Sequence, residues 1–219
     1  MGKLIVVEGA CDGIGKTTQY ELLKKELENQ NINISTHHFP TYNEFQGKAV
    51  EEYLAGKFGK PSELSPYFIN ALYAEDRAVT WYNKLKKEYD QGKTILLDRY
   101  TTSSLIYQSA LITDIEEKNK FINFVEDFEY NKLGIKKPDI TIFLYADFDL
   151  ITNLRKQRKS NEGVENDIHE RDLEFMRSVY NSGMYVADYL GWAKIKCDEN
   201  NQLKSRDVIH EEIMKIIQL

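Results

Sequence analysis

The stretch Leu4-Ile-Val-Val-Glu-Gly-Ala-Cys-Asp-Gly-Ile-Gly-Lys-Thr-Thr18 decides the fold. Leu4 to Val7 is a run of β-prone apolar side chains, which predicts a strand buried on both faces. A glycine-bearing loop follows and ends in Gly15-Lys16-Thr17-Thr18. Behind it Tyr20, Leu23 and Leu27 recur at i, i+3 and i+7, which predicts a helix. Strand, glycine loop, Lys-Thr and helix together form the layout of a phosphate-binding P-loop. Glycines let backbone N–H groups close around phosphate oxygens, and the helix N-terminus adds its positive dipole end. Gly9, Asp12, Gly13, Ile14, Gly15, Lys16, Thr17 and Thr18 are the expected phosphate-binding residues. Lys16 is expected to reach the β- and γ-phosphates, and the Thr17 hydroxyl suits a Mg²⁺ ligand. The spacing departs from the usual pattern. The first glycine should stand five positions before Gly15, which lands on Ala10, so this loop holds one extra residue around Ala10-Cys11.

Working outward, the 219 residues suffice for one well-buried domain, taken as 1–219. The net charge of −6 argues against a nucleic-acid or membrane-surface partner. No apolar run approaches the ~20 residues of a membrane span. The first strand begins almost at once, leaving no room for a signal peptide. Cys11 and Cys197 form no metal spacing with the four histidines, so a cytoplasmic location is expected.

Strands and helices alternate along the chain. Strands are expected at Ile32–Phe39, Thr94–Asp98, Asp139–Tyr145 and Ala193–Asp198. Helices are expected at Ala49–Leu54, from Pro66 toward Tyr89, from Thr101 through Ala110 and beyond, at Leu150–Arg158, Asp172–Leu190 and Arg206–Ile217. Lys156–Asp167 is polar and glycine-bearing, a candidate flap. Such alternation implies an α/β domain around a parallel sheet.

Asp98-Arg99-Tyr100 is the second landmark. Ligands of open parallel sheets sit outside the carboxyl ends of the strands, and Asp98 closes one of them. A carboxylate there can hold a Mg²⁺ water, accept a proton from an attacking oxygen, or simply cap the next helix. Arg99 could bridge donor and acceptor phosphates. Arg155, Arg158 and Lys159 share one helical face, which is either solvated or catalytic.

The phosphate loop, Phe39-Pro40, Tyr53-Leu-Ala-Gly-Lys-Phe-Gly59, Asp76-Arg77, Asp98-Arg99-Tyr100 and Asp167-Ile-His-Glu-Arg-Asp172 occur in one order along nearly the whole chain. That set resembles the thymidylate (dTMP) kinase family. The resemblance implies a P-loop NTPase-type three-layer α/β/α fold, with a central parallel sheet of about five strands and a flexible lid near 155–171. It implies transfer of the γ-phosphoryl of ATP to dTMP, Mg²⁺, and a homodimer. Asp12 matches the loop carboxylate that takes the 3′-hydroxyl. Phe39 belongs to the acceptor site, Tyr73 falls where an aromatic stacks on thymine, and Arg77 matches the arginine on the base. Ser104 and Gln108 match polar contacts to the thymine edge, and Tyr107 the tyrosine packed where a 2′-hydroxyl would go. Gly13 occupies a loop position that carries arginine in some members, so a lid arginine, Arg158 or Arg155, is expected to serve catalysis beside Lys16, Asp98 and Arg99. His169 and Glu170 match lid-end positions near the nucleotide. Tyr42 stands where some relatives place an arginine for the acceptor phosphate, so that contact passes to Arg99 or Lys48. Thr17 and Asp98, the latter partly through water, are the implied metal ligands.

Two other readings stand beside this one. Another nucleotide or deoxynucleoside kinase could use the same fold. A P-loop GTPase switch would carry an Asn-Lys-x-Asp loop, but Asn83-Lys-Leu-Lys86 and Asn131-Lys-Leu-Gly134 lack the aspartate.

Overall fold

Five parallel strands form the centre of the protein, described here from a computed structural model over residues 2–10, 13–154 and 173–217. They are β1 (Leu4–Gly9), β2 (Ile34–His38), β3 (Thr94–Asp98), β4 (Ile140–Tyr145) and β5 (Ala193–Lys196), in the order β2-β3-β1-β4-β5. The apolar alternation within β1 explains the layering. Ile5 and Val7 pack into one cluster with Leu23, Leu27, Ile209 and Ile213, while Leu4 and Val6 pack with Trp81, Leu85 and Tyr100 in another. Helices α1 (Lys16–Asn29) and α9 (Arg206–Ile217) supply the first layer.

The opposite layer begins with the short α2 (Lys48–Leu54). Next comes α3 (Pro66–Thr80), which starts with proline at its first position behind Ser65. A π-helical turn, Trp81–Leu85, joins it to α4 (Lys86–Asp90), so the helix expected from Pro66 toward Tyr89 is continuous but locally widened. Helices α5 (Thr101–Tyr107) and α6 (Ile115–Glu126) complete this side together with α8 (Leu173–Tyr189). The described part of α7 covers 148–154.

The expectation of one helix running through Ala110 and beyond is corrected. After Tyr107 the chain tightens into a 3₁₀ turn at Ser109–Leu111, and Asp114 starts a new helix by accepting the Glu117 N–H at 2.9 Å. The last strand is shorter than expected and stops at Lys196. Asp198–Glu199 instead pairs antiparallel with Gln202–Leu203, around Asn200 and Asn201 at positive φ. Strand β2 loses two residues at its start and Phe39 at its end, where the Phe39–Pro40 bond is cis.

Candidate active site

Parallel register brings three strand ends together. Asp98 pairs with His38 on one side and Val7 on the other, so the carboxyl ends of β2, β3 and β1 form one edge. Beside that edge Gly15 precedes α1 with φ 88°, as Gly13 does with φ 94°. A Cβ at Gly15 would meet nothing within 4 Å, so backbone conformation, not space, calls for glycine there. Among the described residues no side chain caps α1, which leaves its first N–H groups for an anion. Thr17 and Thr18 are exposed at this end, and Ile14 is buried behind the loop. Asp12 lies outside the described residues, as do Arg155, Arg158, Lys159, His169, Glu170 and the expected lid.

Lys16 is 8% exposed and its Nζ contacts Asp98 Oδ1, while Asp98 Oδ2 faces His38 Nδ1 at 3.0 Å. Burial alone would raise the Asp98 pKa, but the His38 hydrogen bond and the Lys16 charge outweigh it and hold the carboxyl well below its usual range. Such a carboxylate is a weak proton acceptor. Of the roles left open from sequence, holding charge and water therefore fits better than general-base work.

Arg99 has φ 65°, a left-handed backbone uncommon for a residue with a Cβ. Its Nη1 lies 3.7 Å from Oε1 of the fully buried Glu8, and its guanidinium sits 5.7 Å from the Tyr107 ring centroid. Glu8 also accepts from the Gly9 N–H (3.0 Å), Thr102 Oγ1 (2.9 Å) and Ser103 Oγ (2.5 Å). The start of α5 and the side chain of Arg99 are thus tied to β1.

Next to this edge is a cavity of about 260 Å³. Phe39, Tyr42, Tyr73, Arg77, Arg99, Ser104, Tyr107 and Gln108 all line it, together with His38, Leu54, Tyr100 and Ser103. Tyr73 is half-buried, edge-on to Tyr53 at 6.2 Å between centroids, and 6.0 Å from the Arg77 guanidinium. Arg77 is 1% exposed and donates from Nη2 to Ser104 Oγ at 2.9 Å. Gln108 is buried, and its Oε1 accepts no hydrogen bond among the described residues. Lys48, an alternative phosphate contact, is not part of the cavity lining. It is exposed and pairs with Glu51 (3.0 Å) and Glu52 (3.6 Å).

Sequence reading passed over Glu8, His38 and Glu129. The position of His38 at the end of the strand before Phe39-Pro40 was the available signal. Glu129 continues the buried stripe Phe121, Ile122, Val125 of α6 at an i+4 step, a charge where periodicity calls for an apolar residue.

A family model described as thymidylate kinase matches residues 7–212. The chain belongs to the thymidylate kinase family. It is 30% identical over 216 residues to the thymidylate kinase of Trichormus variabilis, covering 99% of this chain and 95% of that one. It is 36% identical over 143 residues to the thymidylate kinase of Thermoanaerobacter pseudethanolicus, covering 65% of each. Among solved structures, thymidylate kinase from Candida albicans aligns with a TM-score of 0.73 at 24% identity, over 99% of this chain and 91% of that one. That last likeness speaks for the fold alone. Thymidylate kinase membership makes the chain an ATP-dependent kinase of nucleotide biosynthesis.

Acid sensitivity follows from this edge of the sheet. Burial, aided by the charge of Lys84 and opposed by Asp76, lowers the His37 pKa to about 4 from 6.5. Between those values the unfolded chain binds the proton and the folded one does not, so stability falls as pH drops from 6.5 toward 4. Asp98 acts in the same direction, but its contribution is complete above pH ~4 and lost only below. Urea unfolding at pH 7 and pH 5 therefore isolates His37. Wild type should lose roughly 1–2 kcal/mol, allowing for the ring's partial exposure, and His37→Asn should lose clearly less. Equal losses would place the acid-sensitive group elsewhere.

Proposed function

We propose that this site transfers the γ-phosphoryl of ATP to dTMP, giving dTDP, with the nucleotide phosphates at Gly13–Thr18 and the acceptor in the cavity between Tyr73 and Arg99. The observation that carries the reading is the polar floor of that cavity. It joins a buried guanidinium donor, Arg77, to a buried acceptor without a partner among the described residues, Gln108 Oε1. A pyrimidine imide offers the complement, a ring N–H beside carbonyl oxygens, and stranding either protein group would cost binding. Cytosine presents the reverse pattern at those positions.

The dTMP phosphate is already an anion and needs no base to attack. Catalysis is then positioning and charge stabilisation by Lys16 and Arg99, with Asp98 holding Lys16 in place and a lid arginine, Arg158 or Arg155, joining from sequence expectation. Mg²⁺ fits the donor set, which is all oxygen: the exposed Thr17 hydroxyl and the ionised Asp98. Among the described residues no cluster of three or more His, Cys, Asp or Glu could hold a metal. When bound, it would neutralise phosphate charge.

Initial rates with ATP or GTP and with dTMP, dUMP, AMP or thymidine test the reading. dTMP with ATP should be preferred; phosphorylation of thymidine instead of dTMP would favour a nucleoside kinase. Two substitutions locate the pocket. Tyr73→Ala should weaken dTMP binding about tenfold to hundredfold through lost stacking, with ATP binding little changed. Tyr107→Ala should raise activity on the ribonucleotide relative to dTMP. If neither moves its own readout, the acceptor lies elsewhere.

A homodimer and a cytoplasmic location belong to this proposal. No helix among the described residues is long and apolar enough to cross a membrane. An aromatic patch on α3 and α6 supports the dimer: Tyr67 (39% exposed) contacts Phe124 (40% exposed) at 4.8 Å between centroids, and Phe124 stacks on Phe128 at 5.5 Å. Phe124→Glu should shift wild-type dimer to monomer in sedimentation; an unchanged distribution would remove the patch from the interface.

A further inference from the structure

Arg77 is the largest fully buried side chain among the described residues, and burial of a guanidinium demands a partner. Asp76 beside it is engaged elsewhere, accepting from the Thr41 N–H (2.7 Å) and from Thr80 Oγ1 (3.4 Å). The carboxylate on Arg77 comes from 52 residues away. Glu129, 0% exposed, takes Nε at 2.7 Å on Oε2 and Nη2 at 2.6 Å on Oε1, a bidentate fork. Thr101 Oγ1 donates to the same Oε2 at 2.8 Å and fixes the carboxylate from the start of α5. The backbone that offers Glu129 is itself unusual. Asp127–Lys132 is a π-helical turn, closed by Leu133 N–H on the Phe128 carbonyl at 2.8 Å and followed by Ile135 N–H on the Glu129 carbonyl at 3.1 Å.

Counting the five guanidinium N–H groups shows what remains. Nε goes to Glu129, and Nη2 to Glu129 and Ser104, with Asn70 Oδ1 at 3.5 Å. Nη1 reaches the Tyr100 carbonyl at 3.5 Å, which leaves one Nη1 N–H with no acceptor among the described residues. Arg77 lines the cavity, so that one N–H is available to a ligand there.

We propose that Glu129 is the positioning and specificity-determining residue of the acceptor site: it clamps Arg77 so that a single N–H serves the base, and it cancels the guanidinium charge. This inference rests on the reading of the cavity as the dTMP site. An unpaired buried guanidinium would attract the acceptor's own phosphate, because a charge-assisted contact to an anion outweighs one to a neutral carbonyl. Neutralised by Glu129 through a bidentate fork, Arg77 suits a neutral imide carbonyl, and the phosphate falls to Arg99, which lines the same cavity and has its Nη1 3.7 Å from Glu8. The buried pair thus decides which way round the nucleotide lies.

The test is Glu129→Gln, which keeps shape and removes the charge, with steady-state kinetics and a thermal melt. The expected result is a dTMP KM raised at least about tenfold with the ATP KM within about twofold, and inorganic phosphate becoming a markedly stronger competitive inhibitor against dTMP. A merely structural role would change thermal stability without moving phosphate inhibition. A cooperatively folded Glu129→Gln protein with dTMP KM and phosphate inhibition both unchanged would overturn the proposal. Should that variant not fold, Thr101→Val removes only the hydroxyl that holds Glu129. It should raise the dTMP KM about two- to fivefold with the ATP KM unchanged, and no change there overturns the proposal equally. Wild type failing to phosphorylate dTMP would instead sink the underlying reading of the cavity, a result distinguishable from either of these.

Discussion

Lys16→Ala should leave the fold intact and lower kcat by roughly 10²–10³-fold or more. Lys16 has two electrostatic tasks that no neighbour can assume. It stands at the first position of α1 behind an uncapped N-terminus, and its ammonium rests on Asp98 in a site almost closed to water. In such surroundings a fixed positive charge aimed at developing phosphoryl charge counts for far more than it would in solvent. Removal also leaves Asp98 with His38 alone, so its carboxyl pKa should rise toward the usual range. Lys16→Met, which keeps the buried stem, separates the lost charge from any cavity. Both variants should show the same loss of kcat with cooperative melts close to wild type. A variant within about tenfold of wild-type turnover would remove Lys16, and with it the P-loop assignment, from the mechanism.

Arg99 should be the next most costly position. Its guanidinium lies 3.7 Å from Glu8 and 5.7 Å from the Tyr107 ring centroid and lines the acceptor cavity, where the proposed reaction would bring the two phosphates together. An interaction made mainly in the transition state lowers kcat and kcat/KM together, and Arg99→Ala should do so by roughly 10²–10³-fold. The left-handed backbone adds a control. Glycine accepts φ 65° without penalty, whereas alanine pays for its Cβ, so Arg99→Gly should be the more stable variant by about 1 kcal/mol. If activity follows the side chain, both variants are equally slow despite that difference. If Arg99→Gly retained activity, the backbone turn and not the guanidinium would be what this position supplies.

How much could be read in advance depends on whether the signal was local. Strands β1 and β3 begin as apolar runs, and a parallel sheet follows from their alternation with helices, whereas the strand order does not. The break between α5 and α6 was passed over because Ile112 continues an apolar trend, although Asp114 with Glu117 three residues on was a readable helix-start signal. The antiparallel pair at Asp198–Leu203 was hidden by its shortness. Motif residues such as Lys16, Asp98 and Arg99 could be singled out as candidates because their sequence neighbours mark them, and the fold brings them to one edge of the sheet. Glu8, His38 and Glu129 could not, because each acquires meaning from a partner across the sheet or 52 residues away. Glu8 sits inside the stretch that decided the fold and still reads as an ordinary strand residue until Arg99, Thr102 and Ser103 are placed around it. Buried charge pairs are the part of such a site that sequence order conceals most, since neither partner marks the other.

The orientation of the acceptor is the claim on which the whole site turns, and a crystal structure of the protein with dTMP tests it most directly. The account predicts the thymine ring stacked on Tyr73, one of its carbonyl oxygens on Arg77 Nη1, its N–H on Gln108, and the phosphate beside Arg99 facing Lys16. A dTMP phosphate found on Arg77, or a nucleotide bound outside this cavity, would contradict it.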